Sequence, residues 1–90
     1  MNTKFFIVYM LECGDHTFYI GSTNDVTKRL HQHNHTTAGA KYTRARRPVR
    51  IVYQEQCATY ALARSREAAL KRLTRAQKNL LCTPQNVNSK

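Results

Sequence analysis

Five side chains in this sequence have types and spacings that suit phosphate chemistry. Tyr9 and Tyr19 sit in the settings Ile7-Val8-Tyr9 and Tyr19-Ile20-Gly21. If the two segments form a hairpin, a three-residue connection over Cys13 to Asp15 pairs the tyrosines directly on one face. A four-residue connection would send them to opposite faces, and the shorter one is expected. Arg29 and His33 are four residues apart, so in a helix they emerge one turn apart on one face and can address one phosphate. Glu67 is the only acid in its predicted helix, and a hard cation such as Mg²⁺ needs only one or two carboxylates when water and phosphate fill its other positions. Each group also has an ordinary reading. The tyrosines could be amphipathic residues at the core edge, Arg29 one more surface base, and His33 a solvated residue at a helix end. Glu67 could pair with Lys71 at i, i+4, an interaction worth about 0.3 to 0.5 kcal/mol.

The elements that must position these residues are legible from pattern. Lys4 to Leu11 is apolar and β-rich at nearly every position, so it is expected to be a central strand covered on both faces. Cys13 to His16 is a turn, and Thr17 to Ile20 returns antiparallel. Asp25 caps a helix with Val26, Arg29, Leu30 and His33 along one stripe, fading near Asn34. A polar, basic loop over His35 to Pro48 leads to a third strand, Val49 to Tyr53. Thr59 caps a second helix with an apolar stripe of Leu62, Ala69, Leu70 and Leu73, and with Arg64, Glu67 and Lys71 elsewhere around it. Thr74 to Gln77 has the form of a capping box, so a short third helix runs to Leu81 and stops before Pro84. Residues 1–83 are expected to form a single domain, and residues 84–90 a flexible polar tail.

The chain has 90 residues and a formal net charge of +10, with 15 Lys and Arg against 5 Asp and Glu. One core is the expectation at this length. The charge favours a polyanionic partner. A bilayer span would need about 20 apolar residues. The longest apolar run, Phe5 to Leu11, ends at Glu12, where a secretory signal would instead continue into small residues. The expectation is no membrane association and a cytoplasmic location. Cys13, Cys57 and Cys82 have neither disulfide nor metal-knuckle spacing and read as free thiols. His31, His33 and His35 suggest zinc, but alternate positions on a helix scatter three imidazoles over different faces. Gly14, Gly21 and Gly39 form no phosphate loop, so no nucleotide or other small-molecule cofactor is expected. The densest basic stretch comprises Lys41, Tyr42, Arg44, Arg46, Arg47 and Arg50. These residues would grip a nucleic-acid backbone without reading its sequence; alternatively, they form a solvated basic loop or an import-like signal.

Val8-Tyr9 followed by Tyr19-Ile20-Gly21, then Arg29, His33 and Glu67, resembles the GIY-YIG nuclease superfamily over nearly the whole chain. Tyr42-Thr43-Arg44-Ala45-Arg46-Arg47-Pro48-Val49 and Leu70-Lys71-Arg72-Leu73-Thr74-Arg75-Ala76-Gln77-Lys78 resemble its small bacterial single-domain members more closely. Ile7 stands where the family name has its first glycine, and Tyr60 and Ala61 stand where many relatives carry an acidic residue and alanine. The resemblance implies an α/β (α+β) fold, a three-stranded, mainly antiparallel sheet flanked by three helices. It also implies metal-dependent hydrolysis of DNA phosphodiester bonds. In that reading Glu67 holds Mg²⁺ or Mn²⁺ against the scissile phosphate and the leaving 3′ oxygen. Tyr9, alone or with His33, orients or deprotonates the attacking water. Tyr19 holds the phosphate or a water on the metal, Arg29 stabilises developing charge, and the products carry 5′-phosphate and 3′-hydroxyl ends. Single-stranded, strained or branched DNA would be easier to seat than an undistorted duplex. The competing reading is a catalytically silent nucleic-acid-binding module. Oligomeric state is left open.

Overall fold

A strand that is apolar on both faces needs cover above and below, and this requirement organises the molecule. The computed structural model describes residues 6–82. In it β1 (Phe6–Glu12) lies between β2 (Phe18–Thr23) and β3 (Arg50–Cys57) in a three-stranded antiparallel sheet of order β2-β1-β3. Alternate β1 side chains enter two separate cores. Val8 and Met10 pack with Ile20, Val52, Ala63 and Leu70 on one face; Tyr9 and Leu11 pack with Cys13 and Val49, against Val26 and Leu30, on the other. The first face is covered by α3 (Tyr60–Lys71) and the second by α1 (Val26–His35). Lys4, Phe5 and the expected tail lie outside the described residues. Among the described residues no helix is long and apolar enough to cross a membrane.

The three expected caps are present. Asp25, Thr59 and Thr74 accept hydrogen bonds from Lys28 N, Leu62 N and Gln77 N, and Gln77 completes the reciprocal box that starts α4 (Arg75–Leu81).

Four expectations need correction. The hairpin connection is five residues long, Cys13 to Thr17, so Tyr9 faces Gly21 and Leu11 faces Tyr19. The tyrosines therefore share a face as diagonal neighbours and are not directly paired. The longer turn is stabilised by Asp15, which accepts from both the amide and the hydroxyl of Thr17, and it places His16 in left-handed backbone at φ 67°. β3 continues to Cys57, because Gln54 to Gln56 find ladder partners on β1. The basic loop contains a one-turn helix, α2 (Lys41–Arg44), so four helices flank the sheet. In α3 the residue against the sheet is Ala63 and not Leu62, which is 54 % exposed. That rotation aligns Ala63, Glu67 and Leu70 toward the sheet and leaves Glu67 half-buried.

Among the described residues the two fully buried polar side chains, His33 and Thr43, hold α1 and α2 to the sheet. Tyr9 Oη lies 2.8 Å from His33 Nε2, and His33 Nδ1 lies 2.8 Å from Thr43 Oγ1. Burial, reinforced by the nearby Arg29 and Arg47 charges, pulls the His33 pKa from its usual 6.5 down to about 4. The unfolded chain takes up this proton near pH 6.5 and the folded chain only near 4, so in that interval the unfolded state binds more protons and stability is lost as the pH is lowered. The full interval corresponds to on the order of 3 kcal/mol. Thermal melts between pH 7 and 4 should show Tm beginning to fall below about 6.5, before carboxylates titrate, with a shallower slope for His33→Asn.

Candidate active site

Tyr9 occupies its position because Gly21, its cross-strand partner, has no side chain. A Cβ at Gly21 would lie 2.7 Å from Tyr9 Oη and 3.2 Å from a Tyr19 ring carbon. The Tyr9 ring therefore crosses β2 toward the sheet edge, and its hydroxyl meets His33 on α1. The direction of that hydrogen bond follows from proton counting. Thr43 Oγ1 donates its one proton to the Ala40 carbonyl at 2.9 Å, so it accepts from His33 Nδ1–H. Neutral His33 then presents an unprotonated Nε2, which accepts the Tyr9 O–H. Desolvation is the largest influence on Tyr9 and raises its pKa to about 12, with the nearby Arg29 guanidinium acting in the lowering direction. Arg29 is fixed by hydrogen bonds of 2.9 Å to Gln32 Oε1 and to the Ala38 carbonyl.

Tyr19 stands edge-on to His33 at 5.2 Å and stacks on Tyr42 at 6.0 Å, and the Arg46 guanidinium lies 3.9 Å over the Tyr42 ring. Tyr9, Tyr19, Arg29 and His33 thus form one cluster on the α1 face. Glu67 comes from the other face. Its carboxylate accepts from Ser22 Oγ at 3.1 Å and meets Lys71 Nζ at 3.0 Å, so the i, i+4 pair is present. Ser22 pairs with Val8 and shares the α3 face. The cavity beside Glu67, about 310 Å³, is lined by Ser22, Tyr60, Arg64, Ala68 and Lys71 and by none of the other four expected site residues. The two groups meet around the edge strand, separated by the β2 backbone at Gly21-Ser22, and the Glu67 charge is close enough to raise the Tyr9 pKa.

The basic stretch divides. Lys41 and Arg44 are exposed, while Arg46 pairs with Asp15 at 3.1 Å. Arg50 pairs with Glu12 at the turn end of the sheet, away from Glu67. Arg47 turns inward and donates to the His33 and Thr36 carbonyls at 2.6 and 2.5 Å, where it caps the C-terminus of α1. Of the three neighbouring histidines only His33 is buried; His31 and His35 are exposed and pack on each other at 4.7 Å. Two residues of this region were missed in the sequence, Thr43 and Ser22. A long polar segment with no element of its own was the available signal for the α2 turn that delivers Thr43. No comparable signal marks Ser22.

Among the described residues no group of three or more His, Cys, Asp or Glu is placed to hold a metal ion. The donor set at Glu67 is one partly exposed carboxylate on a roomy cavity, which fits a hard cation that keeps its waters and takes further oxygens from a phosphate. Lys71 is the group that would yield.

Residues 5–80 match the family model for the GIY-YIG catalytic domain. A UPF0213 protein of Streptococcus pneumoniae is 51% identical over 71 residues, covering 79% of this chain and 71% of that one. One from Halobacterium salinarum is 46% identical over 74 residues, covering 82% and 95%. Among solved structures, an E. faecalis protein matches with TM-score 0.60 at 43% identity, covering 88% of this chain and 83% of its own. A UPF0213 protein of Bacillus halodurans matches with TM-score 0.54 at 38% identity, covering 87% and 82%. The match over residues 5–80, together with these relatives, makes the chain a member of the GIY-YIG family.

Proposed function

We propose that the chain is a metal-dependent endonuclease that hydrolyses DNA phosphodiester bonds, with Tyr9, Tyr19, Arg29, His33 and Glu67 as its working residues. The observation that carries this reading is the Tyr9 hydroxyl, tied to a neutral His33 at 2.8 Å, lying over Gly21 and one residue from the serine that holds Glu67. A divalent cation at Glu67, Mg²⁺ or Mn²⁺, would supply Lewis-acid polarisation of the phosphate and charge for the leaving oxygen. In the reaction the water oxygen bonds to phosphorus and the bond to the 3′ oxygen breaks. The water proton goes to Tyr9, and the 3′ oxygen takes one from solvent. Arg29 stabilises the charge developing on the phosphate, and Tyr19 positions it.

The division of labour between Tyr9 and His33 follows from their pKa values. A base of pKa about 4 cannot keep a proton at neutral pH. His33 therefore aims the Tyr9 hydroxyl, and the small phenolate fraction of Tyr9 is the base. Single-turnover cleavage should rise about tenfold per pH unit from 6 to 8 with no inflection near 6.5. A rate that stays flat from pH 6 to 8 would identify His33 as the base instead.

The rival reading, a silent binding module, draws support from the Lys71–Glu67 pair and from the high Tyr9 pKa. Labelled single-stranded, duplex and branched DNA, each with Mg²⁺, Mn²⁺ or chelator, separates the two. Metal-dependent cutting that falls at least a hundredfold in Glu67→Ala is expected, whereas binding with no cutting of any substrate leaves only the module.

The grip on DNA is assigned to exposed cations. Lys41→Ala and Arg44→Ala should each lower the slope of log affinity against log salt by about one without changing Tm. Arg47→Ala should instead cost about 2 kcal/mol of stability in urea unfolding, because it removes charged hydrogen bonds to α1 carbonyls.

A further inference from the structure

The cavity beside Glu67 continues past the carboxylate along α3. Tyr60, Arg64, Glu67 and Lys71 follow at spacings of four, three and four, so they share one helix face, and Ser22 stands opposite. Tyr60 is 54 % exposed and contributes little to either core. Its ring is nevertheless supported, tilted against Phe6 at 5.5 Å between centroids. The Arg64 guanidinium lies 5.7 Å from the ring centroid and touches the phenol oxygen only at 3.4 Å. Among the described residues Arg64 has no carboxylate partner. A supported, outward aromatic ring beside a guanidinium with no carboxylate partner among the described residues combines a stacking surface with a phosphate donor. The cavity, about 310 Å³, stands at the small end of ligand sites and is large enough for about one nucleotide unit.

We infer that this face of α3 is a nucleotide subsite, in which Tyr60 stacks an unpaired base adjoining the phosphate at Glu67 and Arg64 holds the next phosphate along. The inference rests on the nuclease reading only for the position of the scissile phosphate. Stacking on Tyr60 needs a base that is free of its neighbours, so the subsite selects a strand that is single or locally opened at the cut.

The test is fluorescence anisotropy in chelator, comparing a labelled oligothymidylate with an abasic deoxyribose-phosphate strand of equal length. Tyr60→Ala should weaken oligothymidylate binding about tenfold. Tyr60→Phe should bind as the wild type does, and on the abasic strand Tyr60→Ala and wild type should be equal. Arg64→Ala should weaken both strands and lower the salt slope by about one. An equal loss on both strands by Tyr60→Ala, no loss at all, or a loss shared by Tyr60→Phe overturns the subsite. The nuclease reading fails separately, if metal-dependent cutting is absent while base-dependent binding through Tyr60 persists.

Discussion

The contact between the Tyr9 ring and the bare backbone of Gly21 governs the geometry of the α1 face. A side chain at position 21 would occupy the space of the phenol oxygen, so the tyrosine could not cross β2 and reach His33. The tautomer of His33 is fixed because Thr43 accepts a hydrogen bond from its Nδ1–H, and Thr43 is delivered by the single turn of α2. Glycine, tyrosine, histidine and threonine thus form a series in which each fixes the next. Arg47 secures the series from behind, because it binds the carbonyl of His33 itself and so ties α1 to the segment that carries α2.

Burial gives this series its chemical character. His33 and Tyr9 are out of water, and for both the first consequence is that the neutral form is favoured. Two neutral groups joined by one hydrogen bond cost far less to bury than an ion pair would. The arrangement is therefore stable at rest and needs added positive charge to become basic. Arg29 already acts in that direction on Tyr9, and a cation on the far side of β2 would add to it.

Features set by local rules were legible in the sequence. The three caps, the central strand and the shared face of Tyr9 and Tyr19 follow from side-chain type and alternation, and the structure has them. Features set by tertiary competition were not. Whether the hairpin turn takes three residues or five depends on Asp15 trapping Thr17, which pattern alone does not weigh. Leu62 had the better apolar credentials for the α3 interface, but Ala63 lets the helix approach the sheet closely, and Glu67 comes round with it. Arg47 looked like its basic neighbours because sequence cannot distinguish a guanidinium facing solvent from one facing carbonyls. The resemblance places Glu67 with the tyrosines, but Glu67 lies on the opposite face of the sheet, in a cavity that none of Tyr9, Tyr19, Arg29 and His33 lines.

Net charge explains why one acid among five stands apart. Glu12 meets Arg50, Asp15 meets Arg46, and Asp25 accepts a helix amide. Glu55 takes a two-pronged hold from Arg66 through Nε and Nη2. Three of these four pair with guanidiniums, whose fixed planar donors match a carboxylate and are hard to displace. Among the described residues Glu67 alone pairs with a lysine, through one oxygen, while its other oxygen accepts from a neutral serine hydroxyl. An ammonium on a flexible stem is a point charge that another cation can replace, and Lys71 has open cavity beside it into which to move. Among the described residues three of the five carboxylates are held by arginine, and Glu67 is the one paired with lysine.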